Sequence, residues 1–200
     1  MKFLIMNRRE MKNFINKIHP FTTGIITISD TDKNNINITN VCLVDGNKLA
    51  RDGVHSFLPL KFDDVEKDSP TERAISKSDA EAIVKYINRV KNKVDCIAVN
   101  CEAGVSRSAG VCAAIMMALN GDDSEVFNDP SKCPNMRCYR TVLNEFAKNG
   151  YFDEDTKGVS NEEIRQKELD NIEIWKSNLE WLLKNKLLGL TYWLYLISVL

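Results

Sequence analysis

The stretch that decides the fold runs Val94-Asp95-Cys96-Ile97-Ala98-Val99-Asn100, then Cys101-Glu102-Ala103-Gly104-Val105-Ser106-Arg107-Ser108, then Ala109-Gly110-Val111-Cys112-Ala113-Ala114-Ile115-Met116-Met117-Ala118-Leu119. The first segment is short, apolar and partly β-branched, which predicts a buried strand, while the third is long and rich in small apolar residues, which predicts a buried helix. The middle segment therefore carries the chain from a strand end to a helix N-terminus. Unpaired backbone N–H groups and the positive end of the helix dipole make such a junction a cradle for phosphate or sulfate. They favour a thiolate as well.

Working outward, Met1 to Met6 reads as a strand, and Arg8 to Ile18 as a helix with Met11, Phe14, Ile15 and Ile18 on one face, ended by Pro20. Thr23 to Ser29 is a second strand, Asp30 to Asn35 a loop, Ile36 to Val44 a strand ending at the Asp45-Gly46 turn, and Val54 to Phe62 another strand. Asp63 to Pro70 reads as an acidic surface loop. Ser78-Asp79-Ala80-Glu81 has the form of a capping box opening a helix whose apolar face is Ile83, Val84, Tyr86, Ile87 and Val90. Gly121 to Pro134 reads as irregular, and Met136 to Lys148 as an amphipathic helix closed by Gly150. This order predicts an α/β fold, a mostly parallel central sheet with helices on both faces.

The 200 residues, 44% hydrophobic and 28% charged, suit one soluble domain with an appendage. A boundary falls at Asp153 to Ser160, giving a domain over 1–152 and a helical extension over 153–200. The net charge of -1 offers no basic excess, so nucleic acid is not expected as the main partner. Six cysteines without a CxxC pair, and no secretory signal, fit a reducing, cytoplasmic setting. Leu187 to Leu200 carries no charge, which leaves two readings: a helix docked on the domain or a partner, or membrane attachment through a run short of the about 20 residues a span needs.

Cys101 and Arg107 form a CxxxxxR pattern that lets a thiol and a guanidinium converge on one tetrahedral oxyanion. Glu102, Ala103, Gly104, Val105 and Ser106 supply backbone N–H groups, and Gly104 lets the loop turn. A Cys101 thiolate can attack phosphorus, but the departing oxygen then needs a proton that neither Cys101 nor Arg107 can give. Asp64 and Asp63, at the end of a strand, are the candidates. Ser108 is placed to hydrogen-bond the thiolate when it departs. No metal or cofactor is expected.

Cys101 to Ser108, ending in Ser-Arg-Ser-Ala-Gly, resembles the signature loop of the cysteine-dependent protein tyrosine and dual-specificity phosphatases. The match covers roughly 1–150, and the compact layout resembles small bacterial and phage relatives. By that resemblance Leu60-Lys61-Phe62-Asp63-Asp64 ends in the general acid at Asp64, with Asp63 the fallback, and Asn135, Tyr139 and Arg140 belong to a later helix bracing the loop. One departure stands out: the family usually has a His before the nucleophile, and here it is Asn100, which implies a less activated Cys101.

The resemblance implies a metal-independent phosphomonoester hydrolase acting through a phosphocysteine on phosphorylated proteins. Two alternatives remain open from the sequence: a catalytically weak phospho-binding module, and the same chemistry on an RNA 5′ end or a phosphoinositide. Cys96 also raises the question of a protective disulfide with Cys101.

Overall fold

The computed structural model describes residues 1–17, 21–32 and 54–152, together with residues 166, 169, 170, 173, 176 and 177. The chain divides into two compact units, Met1–Val159 and Ser160–Leu200. In the second, the described residues are helical, and Gln166 Nε2 donates to Asp170 Oδ1 at 2.7 Å. The strand expected over Ile36 to Val44, the Asp153 to Ser160 boundary and the Leu187 to Leu200 tail lie outside the described residues. Among those described, no helix is long and apolar enough to cross a membrane.

The first unit contains strands β1 (Lys2–Met6), β2 (Thr23–Ser29), β3 (Val54–Lys61) and β4 (Cys96–Asn100), and helices α1 (Arg8–Ile15), α2 (Lys77–Val90), α3 (Arg107–Asn120), α4 (Ser124–Phe127) and α5 (Met136–Lys148). The strands make one sheet in the order β1-β4-β2-β3, parallel at every pair. Every residue of β2 and β4 is buried, as their near-continuous apolar sequences require of strands covered on both faces.

Register shows which residues face which helices. Leu4, Ala98, Ile25 and Phe57 lie in one row across all four strands, and Met11, Phe14 and Ile15 of α1 pack on that row. Each of those helix side chains, once buried, contributes roughly 1.5–3 kcal/mol. The neighbouring row, Phe3, Ile97, Gly24 and Ser56, faces the other way. Helices α2 and α3 lie on that side, and α5 packs against both. The expected parallel sheet with helices on both faces is the fold.

Three local readings change. Helix α2 starts two residues early, because the capping box is Ser76 with Asp79: the Asp79 carboxylate takes the Ser76 N–H at 2.8 Å, and Ser76 accepts from Asp79 N. The short helix α4 interrupts the irregular Gly121 to Pro134 segment. Asp63, expected on a solvated loop, is buried.

Candidate active site

Parallel strands deliver their C-terminal ends to one edge of the sheet, where ligands of open α/β folds bind. Here that edge holds, in spatial order, Asn7 and Arg8 after β1, Cys101 after β4, Asp30 after β2, and Asp63 and Asp64 just beyond β3. The nucleophile candidate stands between a basic and an acidic flank.

The loop around it is held from outside through its carbonyls. Glu102 O accepts from Arg8 N at 3.1 Å, Gly104 O from Lys132 Nζ at 3.0 Å, Val105 O from Cys133 N at 3.0 Å, and Ser106 O from Asn135 N at 3.1 Å. A trans peptide sets the next N–H opposite each carbonyl, so the N–H groups of Ala103, Val105, Ser106 and Arg107 turn inward. Gly104 N donates to Cys101 Sγ at 3.3 Å. At Gly104 the backbone has φ of 71°, and a Cβ would sit 2.5 Å from Asn7 N, so both conformation and space require glycine. Gly110 serves a matching purpose early in α3, where a Cβ would lie 2.4 Å from Asn135 O.

Helix α3 begins with its N-terminal donors open. Its N-cap, Ser106, makes no side-chain cap bond, because its hydroxyl donates to Asp64 Oδ1 at 2.7 Å instead. The loop thus keeps for a ligand the donors that a capping serine would satisfy. Ser108 Oγ lies 3.1 Å from Cys101 Sγ, and both residues are buried.

Arg107 is 4% exposed, and it reaches across the loop to the ends of two other strands. Its NH1 donates to Phe62 O at 2.9 Å and to Asp30 Oδ1 at 2.6 Å. Its Nε, 4.0 Å from Asp64 Oδ2, has no hydrogen-bond partner among the described residues. A buried guanidinium nitrogen without an acceptor beside inward-turned N–H groups is the signature of a place for an oxyanion.

The two adjacent aspartates are separated by their partners. Asp63 takes Thr31 N at 2.9 Å, Thr31 Oγ1 at 2.6 Å and Arg73 N at 2.8 Å, so both of its oxygens are engaged. Burial works to raise its pKa, but those hydrogen bonds and the Arg107 charge outweigh it and hold the carboxyl below its ordinary value. A carboxyl kept ionised in this way is a poor proton donor, which counts against the fallback role. Asp64 is exposed and, among the described residues, takes Ser106 Oγ and Asn135 Nδ2 (2.9 Å) on Oδ1 only, with Oδ2 4.0 Å from Arg107 Nε.

The remaining expected residues divide. The Glu102 side chain turns away from the cradle to pair with Arg8 NH1 at 3.0 Å, leaving only its backbone near the site. Asn135 braces the loop directly, whereas Tyr139 OH donates to Asp123 Oδ2 at 2.6 Å, away from it. Asn100 is buried and its Oδ1 has no partner among the described residues. A Cys96–Cys101 disulfide is excluded, since β4 separates the two by roughly 16 Å at about 3.3 Å per residue. Burial pushes the Cys96 thiol up to about 11, and it raises Cys112 and Cys138 further.

Asp30, Thr31 and Lys132 join the site without having been read from the sequence. Asp30 had a positional signal, standing directly after a parallel strand. Lys132, in an irregular segment, had none.

No model of a known protein family matches the chain, and no curated protein matches it. Among solved structures it is similar to PTPMT1 in complex with PI(5)P, with a TM-score of 0.44 and 14% identity over 74% of this chain and 91% of that one. A second PTPMT1 structure gives a TM-score of 0.36 and 14% identity over 90% and 95%. Tk-PTP in its active form gives 0.35 and 17% identity over 88% of each chain.

Proposed function

We propose that the chain is a metal-independent phosphomonoester hydrolase of the protein tyrosine or dual-specificity type, working through a phosphocysteine. The observation that carries the reading is the buried Arg107 Nε with no acceptor among the described residues, beside a loop whose carbonyls at Glu102, Gly104, Val105 and Ser106 are engaged on the outside. A phosphate dianion supplies the missing acceptors.

In this reading the phosphate sits on the loop N–H groups with the Arg107 fork on its oxygens, and the Cys101 thiolate attacks phosphorus in line with the ester oxygen. The P–O bond breaks as Asp64 Oδ2–H gives its proton to the leaving oxygen, so an alcohol or phenol departs neutral. Asp64, now a carboxylate, takes a proton from a water that attacks the phosphocysteine. Inorganic phosphate forms, and the Ser108 hydroxyl, 3.1 Å from Sγ, stabilises the sulfur as it leaves. The substrate is a phosphorylated protein, and the second unit is an appended helical extension.

The test is turnover of 4-nitrophenyl phosphate in the presence of a chelator. Steady release of nitrophenol is expected, falling to background in Cys101→Ser while that variant still binds inorganic phosphate. Binding without any chelator-resistant turnover by the unmodified protein would make the chain a phospho-binding module instead.

A further inference from the structure

The two flanks of Cys101 carry opposite charge, and each opens into its own cavity. On the β1 side a cavity of about 490 Å³ is lined by Asn7, Arg8, Arg9, Lys12, Glu102 and Ala103. Glu102 and Ala103 belong to the phosphate loop itself, so this cavity borders the loop on its α1 side. On the β2 and β3 side a second cavity, again about 490 Å³, is lined by Asp30, Thr31, Asp32, Asp63, Asp64, Thr71 and Glu72. The two share no residue.

The basic cavity is undercompensated. Glu102 is held by Arg8, and Glu10, the nearest other carboxylate in sequence, is held in the α1 capping box by the Asn7 N–H. Arg9 and Lys12 are exposed and have no carboxylate partner among the described residues. Helix α1 presents them one turn apart on the side of the loop away from Asp64. Two uncompensated cations beside a phosphate site create a positive potential that ends on a second anion.

We infer that Arg9 and Lys12 set substrate choice, and that the substrate is a phosphopeptide bearing an acidic group, a carboxylate or a second phosphate, on the side of the phosphorylated residue that lies over α1. The inference rests on the phosphatase reading of the same loop. A peptide, rather than an anionic membrane surface, fits because the opposite flank is acidic: a sheet of anionic headgroups would meet Asp32 and Glu72 as well as Arg9 and Lys12. An extended chain crosses the cradle in one direction. It can put acidic residues over one flank and neutral or basic residues over the other.

The experiment measures binding, so it reads independently of turnover. Peptides centred on a non-hydrolysable phosphonate analogue of phosphotyrosine carry three Glu before it, three Glu after it, or Ala throughout. One Glu placement is expected to tighten binding about five-fold over the Ala peptide, the size two exposed ion pairs supply, and the opposite placement to weaken it. Arg9→Glu combined with Lys12→Glu is expected to reverse the order of the two Glu peptides. Because the order is read within one preparation, partial misfolding does not imitate the reversal.

Equal binding of the three peptides, or an order that survives the double variant, overturns the inference. So does a protein that ignores the peptides but sediments with phosphatidylserine vesicles in a way that needs Arg9 and Lys12. Absence of 4-nitrophenyl phosphate turnover, by contrast, strikes the catalytic reading and leaves the binding order to be judged on its own.

Discussion

The Cys101–Ser108 loop and the Phe62–Ala74 segment meet at Arg107 and Asp64, yet they are held by opposite means. The loop is fixed by other elements: the start of α1 takes one carbonyl, and Lys132, Cys133 and Asn135 take three more. The Phe62–Ala74 segment is closed partly upon itself, with Asp63 N donating to Arg73 O at 2.7 Å, Arg73 N returning to Asp63, and Ala74 N donating to Asp68 Oδ1 at 2.9 Å, and is tied to its neighbours through the Asp63 and Asp64 side chains. The proposed nucleophile is therefore placed by hydrogen bonds and close packing from several elements, and the proposed proton donor by a few polar bonds. Substitutions in the two regions should fail in different ways.

The largest expected effect separates the neighbours Asp63 and Asp64. With Asp64→Asn, hydrolysis of alkyl phosphates, whose leaving groups need the proton, should fall by about 10²–10⁴. Aryl phosphates with acidic phenols should lose far less, since their oxygens depart as anions. A plot of log kcat/KM against leaving-group pKa is shallow when the acid works and steep when it is gone. If Asp63→Asn steepens that plot and Asp64→Asn does not, the acid has been assigned to the wrong carboxylate.

The same contrast explains what was legible in the sequence. The loop could be read because its logic is local: an apolar strand, a Cys and an Arg with five residues between, and a small-residue helix are contiguous, and Gly104 marks the turn. The parallel sheet followed from strands and helices alternating with short connections. Which of two adjacent aspartates faces the cradle is not local. It depends on Thr31 reaching Asp63 from the end of another strand. Asp30 on Arg107 was hidden for the same reason, because nothing in Thr23 to Ser29 says that β2 lies next to β4 rather than next to β1. The α2 capping box is ambiguous in the sequence because Ser76 and Ser78 each stand three residues before an acid, and only the bonds made by Asp79 choose between them.

A second way to sharpen the comparison is Gly104→Ala. The loop is packed so closely on the Met6–Asn7 peptide that a methyl group has no room, and the φ of 71° adds strain. Because packing holds this region, the change should cost about 3 kcal/mol of global stability, seen as a lower urea midpoint with an unchanged slope. A loss below about 0.5 kcal/mol, within the range of ordinary surface substitutions, would mean that the loop can move off α1, and the rigid half of the comparison would be lost.

The smallest effect is expected at Asp63, and its direction with pH is the informative feature. The folded state holds this carboxyl below its ordinary value, so the stability it contributes is present above the unfolded value of about 3.9 and is lost as pH falls through the folded value. Asp63→Asn cannot lose a proton, and its amide nitrogen would face the N–H groups of Thr31 or Arg73 that the carboxylate now accepts. The variant should therefore be less stable than the unmodified protein by about 2 kcal/mol at pH 7. That gap should narrow as the pH is taken from 5 toward 2, because only the unmodified protein loses Asp63 interactions on the way. Urea denaturation across that range measures the gap. A difference that stays constant with pH would show that the charge of Asp63 is immaterial, and that the Phe62–Ala74 segment, like the Cys101 loop, is positioned by packing after all.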